Sequence, residues 1–330
     1  MIDRDAVRRV LLVSLDNLGD LVFASALVPP LHAAFPRAAI DVWCKQYTSP
    51  IASLIPHVRA VIAANPFWAA SPGQPRAPML PFLRSIGQVR ANRYDVALLS
   101  QAPWRCAAAV AAAGIPTRIG FARRHNERFL TTVLPREDST KPVLEEQKRL
   151  LAALGVEAPP LRYRLEMTPL EEHRRALVER LPSTFVAFHA FAGSRERCVP
   201  LTEWTQLAFA LEARRIRVLW VGTTAELNEL RVSHTHPKGV YVDQLGEPSL
   251  VTTAAAMSLA RGFVGHDSGP LHVAGALGVP VLGIFAPGQP ERTFPQGTGP
   301  WRMIARASPR EIDAGMMLRE LEALGLFSVA

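Results

Sequence analysis

Short apolar runs recur along the chain and alternate with longer stretches in which apolar residues return at helical spacing. Runs of strand length lie at 10–13, 96–99, 185–188, 218–221 and 279–285. Such runs are typical of strands buried on both faces, and the segments between them are long enough for crossover helices. The alternation predicts an α/β protein with mostly parallel sheets.

The same pattern predicts individual elements. In the first half we expect strands at 7–14, 39–44 and 95–100, helices at 20–34, 82–91 and 104–113, and a proline-rich connection at 65–81. In the second half we expect strands at 184–189, 216–222, 240–243, 262–265 and 280–285, and helices at 170–180, 201–213, 224–235, 249–258 and 269–277. A last amphipathic helix is expected at about 309–324, with Gly325 as its stop.

Two series of strands and helices in 330 residues predict two domains, since a single core usually stops growing before this length. The segment 155–170 is a candidate linker because Pro159, Pro160 and Pro169 break helices and stiffen the chain. We therefore expect a Rossmann-like domain at 1–165, a second at 166–308, and a segment at 309–330 that packs back on the domains.

The formal net charge of +8 and pI near 10.0 indicate an anionic partner, such as a nucleotide, a phosphorylated sugar, a nucleic acid or a membrane surface. Neither a basic tail nor an RNA-binding aromatic motif is present, which argues against nucleic acid. No apolar stretch is long enough to span a bilayer, and the first residues do not resemble a secretory signal, so a cytoplasmic protein is expected. Cys44, Cys106 and Cys198 are scattered, which fits a reducing compartment and not a zinc site.

The first candidate for chemistry is the loop 14–20, between the first predicted strand and helix. Ligands of open α/β sheets bind at the carboxyl ends of strands, so Asp20 is expected to face a cleft. Acidic residues also cap helices, but one helix cap needs only one acid, and this loop contains two. We interpret Asp20 as functional and Asp16 as structural. The loop lacks GxGxxG, which argues against a dinucleotide fingerprint.

Two further loops could bind an anion. In 266–272, the start of a predicted helix offers backbone N–H groups and a dipole that favour a pyrophosphate. Capping would explain Asp267 and Ser268 but not His272, one turn into an apolar helix, so a ligand role is expected for His272. In 189–197, Ser194 and Arg197 could bind phosphate oxygens, although such loops are often merely solvated.

Positive charge also concentrates at 118–128. Arg118, Arg123 and Arg124 could bind an anionic acceptor or belong to a solvated loop, and the sequence does not choose between these. Asp3-Arg4-Asp5 is formally a DxD, a pattern that holds a metal in many sugar-transferring enzymes. It precedes the first strand, so we interpret it as a solvated terminus.

Together these segments resemble glycosyltransferase family 9, the ADP-heptose:lipopolysaccharide heptosyltransferases, over about 10–297. The segment 16–20 with Ala26-Leu27 resembles the family's amino-terminal motif, and 267–272 with 278–280 resembles its donor motif. Pro200-Leu201 with Trp204 resembles the end of its second phosphate loop, and 118–121 resembles a segment near the acceptor. The resemblance implies a GT-B fold, with two Rossmann-like domains facing a central cleft.

The resemblance also implies roles for individual residues. It makes Asp20 the catalytic base and Glu226 the acid on the nucleoside side. It carries the donor-diphosphate contacts over to Asp267, Ser268, Gly269 and His272. The loop residues themselves add Ser194 and Arg197 as expected donor contacts, and acceptor contacts are expected from Asn17, Arg118, Arg123 and Arg124. Two segments depart from the family. Arg197-Cys198-Val199 stands in place of a Lys-Arg-Trp run, and Ala286-Pro287-Gly288-Gln289 replaces the usual glycine and Thr-Asp, so the resemblance supports the reaction class more than the sugar.

The expected activity is an inverting, metal-independent transfer of a sugar, with ADP-heptose as donor and a lipopolysaccharide-core-like or other saccharide as acceptor. No cofactor and no metal are expected. An anionic glycolipid acceptor would add peripheral contact with the inner face of the inner membrane. Two alternatives remain: a catalytically silent protein that binds nucleotide sugars, and a GT-B nucleotide-sugar epimerase.

Overall fold

The computed structural model describes residues 5–70, 75–101, 103–136, 140–232, 239–246 and 249–327. These residues form two compact units that divide between Leu165 and Glu166. Each unit is built on its own six-stranded sheet, in which every strand pair is parallel. The predicted α/β class with two parallel sheets is confirmed.

In the first unit the sheet has the order β3-β2-β1-β4-β5-β6. Its strands are β1 (Arg9–Ser14), β2 (Ala39–Cys44), β3 (Val58–Ala63), β4 (Val96–Leu99), β5 (Thr117–Phe121) and β6 (Thr132–Leu134). Its helices are α1 (Leu18–Ser25), α2 (Val28–Ala34), α3 (Ser49–Ala52), α4 (Met79–Ala91), α5 (Trp104–Ala112) and α6 (Val143–Ala152).

In the second unit the sheet has the order β12-β11-β10-β7-β8-β9. Its strands are β7 (Phe185–His189), β8 (Arg217–Trp220), β9 (Val240–Tyr241), β10 (Gly262–His266), β11 (Val281–Phe285) and β12 (Trp301–Ala305). Its helices are α7 (Glu171–Val178), α8 (Leu201–Glu212), α9 (Thr224–Val232), α10 (Leu250–Ser258), α11 (Gly269–Ala276), α12 (Pro290–Thr293) and α13 (Ala314–Ala323).

Both sheets have the same topology. The chain starts in the middle of each sheet, adds two strands to one side, and then returns to add three strands to the other. In the first unit the direction reverses between β1 and β4, and in the second between β7 and β10. The connections that follow these central strands diverge, which leaves a crevice at the carboxyl edge where α/β proteins bind ligands.

The core of the first unit includes an aromatic cluster that fixes α4 to the sheet. Phe82 of α4 stacks on Trp43 of β2 with 5.4 Å between ring centroids, and Trp68 meets Phe82 edge-on at 4.7 Å. Trp43 and Phe82 are almost fully buried. Because Trp43 lies next to the end of β2, the first turn of α4 lies at the carboxyl edge of the sheet.

Several predicted elements need correction. The helix expected at 20–34 is two helices, α1 and α2, because Pro29 and Pro30 can occupy the first turn of a helix but not its interior. Four strands were not predicted: β3, β5, β6 and β12. Three of them, β3, β6 and β12, are edge strands with few buried side chains, so they lack the apolar run that marks a buried strand.

The end of the chain also differs from the prediction. The last helix begins at Ala314 and not near 309, because the Asp313 side chain accepts a hydrogen bond from the Met316 backbone N–H at 2.7 Å and caps it. This helix, α13, packs on α8, β11 and β12, all within the second unit. Asp3 and Arg4, part of the formal DxD, lie outside the described residues. No helix in the described ranges is long and apolar enough to cross a membrane.

A glycine close to α11 provides a test of this packing. A Cβ on Gly297 would lie 2.0 Å from the carbonyl oxygen of Gly275 and 2.3 Å from its carbon. Backbone atoms cannot rotate away, so we expect Gly297→Ala to cost about 1–3 kcal/mol and to lower the melting temperature measurably. A Cβ on Gly87 of α4 would have no atom within 4 Å. Gly87→Ala should therefore stabilise the protein by about 0.5–1 kcal/mol, and equal effects of both substitutions would contradict the packing described.

Candidate functional site

The carboxyl edge of the second sheet gathers the residues predicted to bind the donor. His189 is the last residue of β7 and His266 the last of β10, and these two strands are neighbours. The loops that leave them therefore begin side by side at the crevice. Arg197 lies in the first of these loops, and Asp267 and Ser268 lie in the second.

The carboxylate of Asp267 contacts side chains from several segments of this edge. Asp267 Oδ2 accepts hydrogen bonds from the Arg197 guanidinium at 3.0 Å and from the Thr293 hydroxyl at 3.1 Å. Its Oδ1 lies 3.4 Å from Nε2 of His272, on α11. Arg197 also donates through Nε to the carbonyl oxygen of Pro287, 3.1 Å away, in the loop after β11. The carboxylate thus joins the loop after β7 to α11 and α12. Arg197 links the same group to the loop after β11.

This arrangement changes the role predicted for Asp267. Burial alone would raise its pKa, but hydrogen bonds and charge from His272 and Arg197 outweigh burial and hold the pKa below its ordinary value. Its backbone N–H donates to the carbonyl oxygen of Ile284 at 3.0 Å. A charged carboxylate repels a diphosphate, so Asp267 is placed to orient Arg197 and His272 and not to contact the anion itself.

The start of α11 is suited to binding an anion. Ser268 is the N-cap residue, in extended conformation, but its side chain makes no cap hydrogen bond. Its hydroxyl lies 3.2 Å from Nδ1 of His189 and 3.1 Å from the carbonyl oxygen of His266. The Gly269 N–H is therefore not used by the capping side chain, whereas Pro270 has no N–H and the Leu271 N–H donates to the Ser268 carbonyl oxygen at 3.2 Å. Together with the helix dipole, the Gly269 N–H favours a negative group at this position.

His189 is a site residue that the sequence analysis missed. Its ring joins Ser268 to Glu226, whose Oε2 lies 3.9 Å from Nε2 of His189. Glu226 also accepts from the backbone N–H and hydroxyl of Thr223, at 2.7 Å and 2.9 Å. Burial would raise the pKa of Glu226, but these partners lower it to about 2. The sequence feature that could have identified His189 is its position as the polar last residue of an otherwise apolar strand.

Two other residues of these loops have simpler surroundings. His266 is buried and its Nε2 accepts from the Val199 backbone N–H at 3.0 Å. Burial is the largest cause, and the charge of His189 the second, of a pKa lowered to about 3. His266 is therefore neutral, and its hydrogen bond links the end of β10 to the loop after β7. Ser194 lies on the exposed rim of that loop. Its neighbour Arg195 forms an ion pair with Glu229 on α9.

The carboxyl edge of the first sheet holds a second cluster, built on the loop after β1. Asn17 is the N-cap of α1, and its backbone N–H donates to Asp20 Oδ2 at 3.2 Å. Asn17 Oδ1 in turn accepts from Nζ of Lys45, 3.4 Å away. Lys45 directly follows β2 and is only 4% exposed. A buried lysine beside two acids was not predicted, although its position at the end of an apolar strand was visible in the sequence.

Asp16 is not the helix cap that the sequence suggested. Its Oδ2 is buried and has no hydrogen-bond partner in the described part of the chain. Burial and the charge of Asp20 raise its pKa to about 6, and Lys45 and Arg123 oppose this shift. Burial lowers the pKa of Lys45, against the attraction of the two acids. Asp16, Asp20 and Lys45 therefore form one electrostatically coupled group.

The three arginines predicted to contact an acceptor are in different places. Arg118 lies near the amino end of β5, and its guanidinium donates to the carbonyl oxygens of Phe129 and Ile115, each at 2.6 Å. It holds backbone segments together, so the acceptor role predicted for it is corrected. Arg123 follows β5 at the carboxyl edge and is close enough to Asp16 to lower its pKa. Arg124 is exposed and donates to the His125 ring at 3.2 Å.

Comparison with known proteins identifies the family of this chain. Residues 82–309 match the family model for glycosyltransferase family 9 (heptosyltransferase). Among curated proteins, the chain is similar to lipopolysaccharide heptosyltransferase 2 of Escherichia coli (strain K12). The two are 24% identical over 304 residues, which cover 87% of this chain and 85% of the relative.

Solved structures share the fold. A family 9 glycosyl transferase from Veillonella parvula DSM 2008 superposes with a TM-score of 0.81 at 17% identity, covering 97% of this chain and 98% of that one. The E. coli heptosyltransferase WaaC with ADP superposes with a TM-score of 0.77 at 18% identity, covering 96% of this chain and 99% of that one. At these identities the likeness establishes the fold and no more.

The carboxyl group of Asp16, whose Oδ2 is buried, makes stability depend on pH. The pKa of Asp16 is about 6 in the folded protein, above its ordinary value of 3.8. The folded state therefore holds this proton more strongly, so the wild-type protein loses stability as the pH rises from about 4 to about 6, and the loss persists above that range. Asp16→Asn should remove a penalty of about 2–3 kcal/mol at pH 7.

This prediction is measured as a difference between melting curves. The melting temperature of Asp16→Asn minus that of the wild type should grow between about pH 4 and 6 and level off at higher pH. A difference that does not change with pH would contradict the raised pKa of Asp16.

Proposed function

The chain belongs to glycosyltransferase family 9, and we propose that it transfers a heptose from ADP-heptose to a lipopolysaccharide-core-like or other anionic saccharide. The predicted family and enzyme class are confirmed by the match over 82–309 and by the curated heptosyltransferase relative. The donor, the acceptor, the stereochemistry and the independence of metal are parts of the proposal.

The observation that carries the proposal is the anion site at the start of α11. The Arg197 guanidinium is held by Asp267 beside a helix start whose capping side chain leaves the Gly269 amide to a ligand. A diphosphate carries the charge and the acceptor oxygens that such a site recognises. We assign this site to the donor diphosphate, contacted by Arg197, Ser268, Gly269 and His272, with Ser194 at the rim. ADP is the nucleotide in the E. coli structure described above, which favours an adenine nucleotide here.

In the proposed mechanism, Asp20 accepts the proton of the acceptor hydroxyl as that oxygen attacks the anomeric carbon. The bond from this carbon to the diphosphate breaks, and the departing ADP takes the negative charge. The α11 amides and Arg197 stabilise that charge, a role that a metal ion has in DxD enzymes. Direct displacement inverts the anomeric configuration. Glu226, held by Thr223 and His189, is assigned to the nucleoside side of the donor.

The first unit is proposed to bind the acceptor. Asn17 and Arg123 lie at the same edge as Asp20, and Arg124 is exposed in the same loop. Cationic side chains here suit a phosphorylated saccharide. Lys45, buried beside Asp16 and Asp20, adds positive charge close to the proposed base. If the acceptor is lipid-anchored, the enzyme works at the cytoplasmic face of a membrane, and this location is part of the proposal.

Replacing Asp20 by Asn tests the proposed base. Asn can still accept the helix-capping hydrogen bond from Asn17 but cannot take a proton, so folding should be preserved. We expect kcat for acceptor-dependent release of ADP to fall by about a hundredfold or more, while Kd for ADP changes less than about twofold. Asp313→Asn makes the same change at the N-cap of α13 and should leave both quantities close to wild type.

The outcomes separate the alternatives. An Asp20→Asn enzyme with normal kcat would remove Asp20 from the mechanism. A wild-type protein that binds ADP-heptose without releasing ADP in the presence of acceptors would favour the silent binding protein, and conversion of the donor sugar without any acceptor would favour an epimerase. Retention of the anomeric configuration in the product, read by NMR, would contradict direct displacement.

A further inference from the structure

The net positive charge of the protein comes from the first unit. Residues 1–165 contain 21 Lys and Arg against 12 Asp and Glu, whereas residues 166–330 contain 16 against 17. Within the first unit, residues 42–126 contain ten basic residues and a single acid, Asp95. That acid accepts hydrogen bonds from the backbone N–H groups of Arg8 and Arg9, at 2.7 Å and 2.8 Å. A field this one-sided attracts an extended anionic surface.

Large apolar side chains are exposed in the same region. Leu80 and Leu83 on α4 are 56% and 44% exposed, and Trp104 at the start of α5 is 41% exposed. The face of α4 that packs on the sheet carries Phe82 and Val89, so Leu80 and Leu83 are not needed for the core. Exposed apolar groups that cluster in this way indicate a contact surface.

Arginines accompany these apolar side chains. Arg76 precedes α4, Arg84 follows Leu83, and the Arg105 guanidinium lies 4.7 Å from the centre of the Trp104 ring. In the described ranges these three arginines form no ion pair with a carboxylate. Their charge is therefore available to an outside partner.

The two helix starts lie at the carboxyl edge of the first sheet. Phe82, in the first turn of α4, stacks on Trp43 near the end of β2. Cys106, in the first turn of α5, is close enough to Asp16 for their charges to interact. Helices α4 and α5 also pack against each other. The exposed side chains are thus on the same edge as the proposed acceptor site.

We propose that the α4–α5 surface, formed by Arg76, Leu80, Leu83, Arg84, Trp104 and Arg105, docks on an anionic lipid bilayer. The leucines and Trp104 enter the headgroup region, where an amphipathic ring and apolar side chains are both accommodated, and the arginines bind lipid phosphates. A saccharide acceptor alone would explain the arginines but offers no apolar surface for the leucines. The inference rests on the proposed function in one respect: the docked enzyme would find a lipid-anchored acceptor at the membrane.

The test uses the full-length protein and vesicles of phosphatidylcholine, with or without phosphatidylglycerol, in a co-sedimentation assay. Wild type should bind the anionic vesicles at least about tenfold more tightly than neutral ones, since each arginine near such a surface contributes about fivefold. Arg76→Glu with Arg84→Glu should reduce this binding by about tenfold or more. Leu80→Ser with Leu83→Ser should reduce it by several-fold.

Matched controls are available in the second unit. Arg175→Glu with Arg310→Glu reverses two exposed arginines, and Val178→Ser with Phe209→Ser replaces two apolar residues that are 59% and 53% exposed. Both controls should bind vesicles like wild type. Melting temperatures establish that every variant is folded.

Three results would each contradict the proposed docking surface. They are no preference of the wild type for anionic vesicles, wild-type affinity of the α4 variants for these vesicles, and an equal loss of vesicle binding in the control variants. Transfer to a delipidated, water-soluble acceptor is measured in parallel and should not change in the α4 variants. If wild type shows no transfer yet binds vesicles through α4, the proposed function fails and the surface stands. If transfer occurs and the α4 variants still bind, the surface fails and the proposed function stands.

Discussion

The carboxyl edge of the second sheet depends on the charged carboxylate of Asp267, whose side chain is 15% exposed. It accepts hydrogen bonds from Arg197 and Thr293 and lies 3.4 Å from Nε2 of His272, and so joins segments that leave different strands of one sheet. A buried carboxylate is stable only with such partners, and removing one would leave charge uncompensated. The constraint that stabilises the edge therefore also fixes a guanidinium beside the start of α11, which is the geometry that a diphosphate requires.

The first unit uses the same topology with a different electrostatic balance. At its switch point, Asp16, Asp20 and Lys45 are brought together where burial raises the pKa of one acid and lowers that of the lysine. Around them the chain is strongly basic, whereas the second unit has almost equal numbers of acids and bases. We propose that one sheet edge binds an anion at a helix start and that the other holds a proton acceptor among basic side chains.

Local patterns in the sequence predicted much of this, and non-local contacts explain what they missed. Apolar runs with following cap residues located β10 and α11, because both signals lie within a few residues. Edge strands such as β3 carry no buried run and were not visible. The role of Lys45 depends on burial by distant segments, and Arg118 was misassigned because β5 itself was not predicted, so the end of the strand at which it lies could not be known.

The most direct measurement of the central claim is calorimetric titration of ADP into two arginine variants. Arg197 and Arg195 lie in the same loop, but Arg197 is paired with Asp267 at the start of α11, and Arg195 with Glu229 on α9. Loss of a charge-assisted contact should weaken ADP binding about tenfold or more in Arg197→Ala, and less than about twofold in Arg195→Ala. Equal effects, or unchanged binding in Arg197→Ala, would contradict an anion site organised by Asp267.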